Sequence, residues 1–292
     1  MKRFFDEDFL RKLEALSLIS RRASLGQAKG ERRSLKKGSG VEFRDFRPYV
    51  PGDDIRYVDW NIYSRLDRLI LKLFVEEEDL CLHLLIDSSG SMGFGTPSKL
   101  EYALKVAAAL GYIGLSHFER VAIGLFSDGL GKLLRPRRGR GQIFPLLGFL
   151  AKVRPQGRTD LSSSLKEYAL WAKAPGLAIL ISDLLDPGGY QEGIMALLKR
   201  RLEVFLFHLV STEELHPPFS GDLRLIDAEL KEAKEVTVGP ALLSRYRQNL
   251  EAFFQGVEAL CLRNQVGYVR ASTAVPFEDL VLRHLRQGGL LR

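Results

Sequence analysis

The sequence contains few cysteines and no long hydrophobic run. Only two of its 292 residues are cysteine, Cys81 and Cys261, and they lie far apart. Because no Cys-x-x-Cys motif or Cys/His cluster accompanies them, we expect two reduced thiols rather than a disulfide or a zinc site. No apolar run approaches the ~18 residues that a transmembrane helix requires. These absences argue against a disulfide-rich secreted domain and a zinc finger, and they predict no membrane insertion.

The N-terminus lacks the features of a signal peptide. Its first ten residues, "MKRFFDEDFL", place three acidic residues where a signal peptide needs apolar ones. Hydrophobic residues make up 46% of the chain and charged residues 27%, as in ordinary soluble proteins. We therefore expect a cytoplasmic protein with one large core, or one core and a smaller satellite.

Basic residues are concentrated in two segments, although the net charge is only +7. Residues 21–47 carry nine Lys or Arg against three acidic residues, and residues 132–158 carry eight and no acid. Such segments suit nucleic acid, anionic lipid or an acidic protein, but solvated loops and helix faces explain them equally well. The nearby aromatic residues alternate with charges as in a half-buried sheet, so nucleic-acid binding ranks last among our hypotheses.

The pattern of apolar residues changes at about residue 80. Residues 1–79 are predicted to form a small N-terminal module with a helix over residues 5–19, a basic loop and β-strands. Residues 80–292 alternate apolar strands with helices, a pattern typical of a mostly parallel sheet covered on both faces. We predict an α/β fold there, with a Rossmann-like, doubly wound sheet.

Oxygen-bearing side chains follow three predicted strands or loops of this second domain. Asp87, Ser89 and Ser91 lie in "IDSSGSMG", Thr159 lies in "GRTDL" before a helix, and Asp183 follows the strand "LAILIS". The carboxyl ends of strands meet at one edge of a doubly wound sheet, where ligands bind. Carboxylates with hydroxyls form an oxygen-only site that suits Mg²⁺, or Mn²⁺. The simpler alternative is a set of solvated turns, since Asp and Ser are common there.

This Asp-x-Ser-x-Ser pattern with a later Thr and Asp resembles the metal-ion-dependent adhesion site of von Willebrand factor A domains. The resemblance implies that Asp87, Ser89, Ser91, Thr159 and Asp183 hold the ion, and that an Asp or Glu of a partner completes its coordination. Two positions depart from the family pattern. Arg158 stands where a glycine is frequent, and Leu184 stands where a glycine often follows the last aspartate.

The string "RDFRPYVPGDDIRYVDWNIYSR" resembles a block of a bacterial von Willebrand factor A-like family of uncharacterised function, associated with MoxR-type AAA+ ATPases. The resemblance implies a chaperone-like or adaptor protein that binds the ATPase, its client, or both. Five residues are candidate partner-binding positions by this interpretation: Asp53, Asp54, Arg56 and Asp59 of the block, and Arg158 at the rim of the metal site. The alternative role for the block is a charge network that fixes the module to the main domain.

The sequence offers little for an enzyme. A phosphotransferase of the haloacid dehalogenase type would use Asp87 as nucleophile, but Ser89 stands where a second, acid/base aspartate is usual. No G-x-S-x-G elbow and no phosphate-binding G-x-x-x-x-G-K-[ST] loop is present. We therefore predict a non-enzymatic, metal-dependent protein-binding module, with a Mg²⁺-dependent phosphotransferase as the alternative and a nucleic-acid-binding protein as the third hypothesis.

Overall fold

The computed structural model describes Leu13 and residues 41–76, 81–117, 119–229, 232–284 and 290. It divides the chain into two compact units, residues 26–79 and the remainder. The larger unit resumes at residue 80, as the predicted domain boundary does. It also includes residues 1–25, which the prediction grouped with the N-terminal module. Leu13 is fully buried in the core of this larger unit. The rest of the predicted helix 5–19 and the whole of the predicted basic loop lie outside the described residues.

The smaller unit is built on one pair of antiparallel strands. Strand β1 spans Val41–Pro48 and pairs with β2, Ile70–Glu76. A 3-10 turn at Ile55–Tyr57 and the helix α1, Trp60–Leu66, lie between them in sequence. Asp59 is the N-cap of this helix, because its carboxylate accepts hydrogen bonds from the backbone N–H groups of Asn61 and Ile62. The predicted strands are present, and the helix was not predicted.

The larger unit contains a six-stranded sheet. Its strands are β3 (Cys81–Asp87), β4 (Arg120–Phe126), β5 (Leu130–Arg138), β6 (Gly176–Ser182), β7 (Leu202–Val210) and β10 (Gly267–Ser272). Their spatial order is β10-β7-β6-β3-β4-β5. All neighbouring strands are parallel except β4 and β5, which are antiparallel. The α/β fold class predicted from the sequence is confirmed.

Helices cover both faces of this sheet. Leu82, Leu84 and Ile86 of β3 belong to one hydrophobic cluster, and Leu85 belongs to the other, as the alternation of side chains along a strand requires. This two-sided burial explains why the strands read as continuous apolar runs. The helices are α2 (Lys99–Ser116), α3 (Ile143–Leu150), α4 (Leu161–Trp171), α5 (Gln191–Lys199), α6 (Thr212–Leu215), α7 (Pro240–Arg263) and α8 (Phe277–Asp279), with 3-10 turns at Gly90–Gly93 and Arg140–Gln142 and a π-helical turn at Leu280–His284.

A separate antiparallel hairpin follows α6. Its strands are β8, Gly221–Ile226, and β9, Ala233–Val238, and most of their residues are exposed. The predicted peripheral strands are thus present as a pair of their own, outside the main sheet. Within the described parts of the chain, none of the helices is both long and apolar enough to cross a bilayer.

Candidate metal centre

The candidate site lies where the order of strands reverses. Strand β3 has β4 on one side and β6 on the other, so the chain leaves β3 in one direction and later returns on its far side. Asp87 is the last residue of β3, and Ser182 is the last residue of its neighbour β6. The carboxyl ends of two such strands form the crevice in which ligands of open α/β sheets bind.

Asp87 is completely buried and fully hydrogen-bonded. One carboxylate oxygen accepts the backbone N–H of Ser89 at 3.0 Å, and the other accepts the Ser182 hydroxyl at 2.6 Å. Burial, and next the charge of nearby Asp183, raise the pKa of Asp87 to about 7. A carboxylate held in this way marks a site at which a cation would be favourable.

The two predicted serine ligands lie side by side. The Ser89 and Ser91 hydroxyl oxygens are 3.1 Å apart, and Ser89 is buried whereas Ser91 is partly exposed. Adjacent ligands of an octahedral Mg²⁺ ion, each ~2.1 Å from the metal, are separated by about 3 Å. The spacing of the two hydroxyls therefore fits two neighbouring positions of such an ion.

Backbone hydrogen bonds bring the loop of Thr159 against residues 88–91, here called the serine loop. The Gly90 N–H donates to the Gly157 carbonyl at 3.0 Å, and the Gln156 N–H donates to the Ser88 carbonyl at 2.8 Å. Gly157 has a φ of +79°, in the left-handed region that favours glycine. Thr159, two residues further, is partly exposed at the same rim. The structure thus brings the first two predicted motifs together.

Asp183 is close to the site but already carries a counterion. Its carboxylate accepts a hydrogen bond from the ammonium of Lys99 at 2.6 Å and another from the Leu185 N–H at 3.0 Å. Lys99 also donates to Glu214, and both Lys99 and Asp183 are 1% exposed. Burial would lower the pKa of the lysine, but the charges of Asp183 and Glu214 outweigh it and raise that pKa. Asp183 is therefore a weaker candidate for direct coordination than Asp87 and the hydroxyls.

Four side chains of the site were not among the predicted ligands. Ser182 binds Asp87, Lys99 and Glu214 form the ion-paired group with Asp183, and Glu229 binds Thr159. The serine lies beside a predicted ligand, in the string "SDLLD", and could have been found there. The other three come from a helix start, a short helix and a hairpin turn, and no local pattern relates them to the site.

The donor set fits a hard divalent ion of the magnesium type. Within the described residues, no group of three or more His, Cys, Asp or Glu side chains is placed to hold a metal ion. The site instead combines the carboxylate of Asp87 with three hydroxyls, from Ser89, Ser91 and Thr159. Neutral hydroxyl oxygens suit Mg²⁺ or Mn²⁺ better than they suit softer metals.

The other predicted binding residues are placed differently. Arg158 is exposed beside Thr159 at the rim. In the smaller unit Asp53 pairs with Arg47 at 2.6 Å, and Asp54 pairs with Arg56 at 2.5 Å. These contacts, like the N-cap formed by Asp59, lie within the smaller unit, so they support a role in its internal structure. Whether these residues also bind a partner stays a prediction.

Leu184 occupies an unusual backbone conformation. Its φ is +59°, in the left-handed region where a leucine is strained, and its side chain is only 1% exposed. The backbone therefore keeps the conformation for which a glycine would be the natural choice. Burial of the leucine side chain offsets the strain, so the departure from the family pattern leaves the site loop intact.

Comparison with known proteins gives weak similarities in structure and stronger ones in sequence. An uncharacterized protein of Mycobacterium tuberculosis (strain ATCC 25618 / H37Rv) is 29% identical over 236 residues, which cover 79% of this chain and 74% of that protein. The conserved hypothetical protein BatB from Bacteroides thetaiotaomicron aligns with a TM-score of 0.43 and 12% identity, over 72% of this chain and 98% of BatB. The VWA domain of SpRpn10 aligns with a TM-score of 0.38 and 12% identity, over 69% of this chain and 93% of that domain.

A family model gives the clearest match. The model, described as "Protein of unknown function DUF58", matches residues 45–252. This range takes in β2, the serine loop, Thr159, Asp183 and the β8–β9 hairpin. Because it covers well over half of the 292 residues, the chain belongs to the DUF58 family.

Proposed function

We propose that this protein is a metal-dependent protein-binding module without enzymatic activity. Mg²⁺ or Mn²⁺, when bound, supplies a positive charge with a free coordination position that an acidic side chain of a partner can fill. Ser89, Ser91 and Thr159 offer neutral oxygens for that ion, and Asp87 offers a buried carboxylate. The observation that supports the proposal most strongly is that the adjacent hydroxyls of Ser89 and Ser91 follow the buried Asp87, in a loop that is hydrogen-bonded to the loop of Thr159.

The environment of Asp87 favours binding over phosphoryl transfer. A nucleophilic aspartate needs an exposed oxygen, whereas Asp87 is 0% exposed and both of its oxygens accept hydrogen bonds. The neighbouring Ser89 supplies no carboxylate for acid/base catalysis. Lys99 is held between Asp183 and Glu214, so it is not placed as a free base.

The partner in this proposal is a MoxR-type AAA+ ATPase or its client protein. The support is the resemblance of residues 44–65 to the block of ATPase-associated family members, together with membership of the DUF58 family. An acidic side chain of the partner would bind at the rim formed by Ser91 and Thr159. Arg158, which is exposed there, is suited to contact further acidic groups.

The first test measures metal binding and partner binding with one set of variants. We expect Mn²⁺ to bind the wild-type protein in isothermal titration calorimetry. Asp87→Ala should lose at least tenfold in affinity, because it removes the buried carboxylate beside the serines. Capture of a purified MoxR-type ATPase from the same organism should be lost in EDTA and restored by Mg²⁺.

The control is Asp128→Ala, which removes an equal charge from an exposed position of the loop after β4. Asp128 contacts the Ser127 hydroxyl and belongs to none of the predicted ligands. This variant should bind Mn²⁺ and the ATPase like the wild type. ATPase capture that is indifferent to EDTA, or equal Mn²⁺ affinities for wild type and Asp87→Ala, would contradict the proposal.

A further inference from the structure

A carboxylate of the chain itself already occupies the rim of the candidate site. It belongs to Glu229, in the turn between β8 and β9, about 140 residues from the serine loop. We propose that Glu229 is an internal ligand of the metal site, which takes the position that a partner's acidic side chain would occupy, so that the β8–β9 hairpin covers the site until a partner displaces it. This inference rests on the proposed function.

The contacts of Glu229 join both loops of the site. One carboxylate oxygen accepts the Thr159 hydroxyl at 2.7 Å and the Ser91 N–H at 3.3 Å. The other oxygen accepts the Thr159 N–H at 2.9 Å. Two predicted metal ligands, Ser91 and Thr159, are therefore the residues that this carboxylate touches. Its separation from the Thr159 hydroxyl is close to that between adjacent ligands of a magnesium ion.

The serine loop is shaped to let the hairpin turn approach closely. A Cβ atom added to Gly90 would lie 3.3 Å from the Ala228 carbonyl oxygen and 3.3 Å from Cγ of Glu229. A side chain at residue 90 would thus press directly on the turn that carries the carboxylate. The turn itself is organised locally, since the Glu229 N–H donates to Asp227 at 2.8 Å. These features fix the position of the carboxylate.

The β8–β9 hairpin is weakly attached to the rest of the larger unit, so it can move away from the site. Its strands pair with each other and with no strand of the main sheet among the described residues, and most of their residues are exposed. Leu225 and Ile226 are 46% and 64% exposed, so little apolar burial holds the hairpin down. Glu229 is partly buried, whereas Asp227, Ala228 and Glu232 are exposed. A two-stranded ribbon of this kind has little stability of its own.

An internal carboxylate competes strongly with a free one. Its effective concentration is on the order of millimolar, as for other groups joined by short flexible connections. A single free glutamate side chain would therefore bind poorly to the wild-type site. A partner would need further contacts, at Arg158 or elsewhere on the rim, to displace Glu229, and this requirement would make the site selective.

The experiment uses Mn²⁺ as the metal and N-acetyl-glutamate amide as the carboxylate probe. Water-proton relaxation enhancement reports the number of water molecules on bound Mn²⁺, and its decrease reports carboxylate binding. We expect Glu229→Ala to show the relaxivity of about one additional bound water molecule and to bind the probe at least about tenfold more tightly than wild type. The control Glu232→Ala removes an exposed carboxylate of the same turn and should behave like wild type.

A second measurement does not depend on metal. Glu229 accepts the backbone N–H groups of Ser91 and Thr159, so both amides should exchange with deuterium faster in Glu229→Ala, with Glu232→Ala unchanged. If Mn²⁺ binds wild type but not Asp87→Ala, while Glu229→Ala matches wild type in relaxivity, probe affinity and exchange, the internal ligand is overturned and the proposed function stands. If Mn²⁺ binds none of the variants, both proposals fail.

Discussion

At the scale of single residues, Lys99 distinguishes this site from a simple cluster of acids. Its ammonium is buried and is shared between Asp183 and Glu214. A buried charge is tolerated only when it is paired, because removing an ion from water costs several kcal/mol. Lys99 therefore fixes the orientation of Asp183 and links the end of β6 to the start of α2.

We expect Lys99→Met to destabilise the protein by about 3–5 kcal/mol, because it leaves the buried carboxylate of Asp183 and the partly buried carboxylate of Glu214 without a counterion. Lys166→Met is the matched control, since Lys166 pairs with Glu192 at 2.5 Å on the exposed surface. The free energy of unfolding of that variant should be close to that of wild type. Urea denaturation at neutral pH in EDTA measures both, and equal stabilities for the two variants would contradict the assigned role of Lys99.

At the scale of secondary-structure elements, the β8–β9 hairpin stands apart from the rest of the larger unit. Its two ends, Gly221 and Val238, are paired with each other across the ribbon. A short linker could therefore join them without moving β7 or α7. The strands β3, β6 and β7, by contrast, are buried along nearly their whole length. The hairpin contributes to access to the site more than to the stability of the fold.

Replacing residues 222–237 with a Gly-Ser linker should leave the larger unit folded, with a melting temperature within a few degrees of wild type. The excised protein should match Glu229→Ala in Mn²⁺ relaxivity and in affinity for the carboxylate probe, because both lack the internal carboxylate. Differential scanning calorimetry and the relaxation assay provide the measurements. Loss of the cooperative unfolding transition would mean that the hairpin belongs to the core after all.

At the scale of the whole molecule, two histidines lie in the centre of the sheet. His83 of β3 shares a hydrogen bond of 2.8 Å with the Tyr168 hydroxyl, and His208 of β7 lies 3.0 Å from the Asp183 carbonyl. Burial lowers the pKa of each imidazole to about 4. The folded protein therefore keeps both rings neutral at a pH at which the unfolded chain, with a histidine pKa near 6.5, already binds protons.

This difference predicts a loss of stability in mild acid. The contribution of His83 to the free energy of unfolding is fully present above about pH 6.5. It falls by at most about 3 kcal/mol as the pH drops towards 4, and it changes no further below that pH. We expect the free energy of unfolding of His83→Gln to fall less between pH 7 and pH 4.5 than that of wild type. Urea denaturation in the presence of EDTA measures both. His216→Gln, at an exposed position, controls for removal of a histidine. Identical losses in His83→Gln and wild type would contradict the prediction.

Much of the fold could be predicted because it depends on local patterns. Strands buried on both faces must be continuously apolar, and long helices must carry a buried stripe, so the order of strands and helices after residue 80 was visible in sequence. Helix α2, for example, begins after Ser98, whose hydroxyl accepts the Glu101 N–H at 3.2 Å, and an N-cap of this kind depends only on neighbouring residues. The short helix α1 was missed because its residues resemble a strand in their apolar and aromatic content.

The amino-acid sequence by itself determined the α/β class and the motifs of the candidate site. Asp87, Ser89 and Ser91 follow a strand that had to be buried, and the geometry of parallel sheets places such strand ends at one rim. Only the tertiary structure decided what surrounds them. Lys99 and Glu229 reach the site from elements 84 residues from Asp183 and 138 residues from Ser91, respectively. Contacts of this kind depend on how helices and loops pack in three dimensions, and no periodicity in the sequence records them.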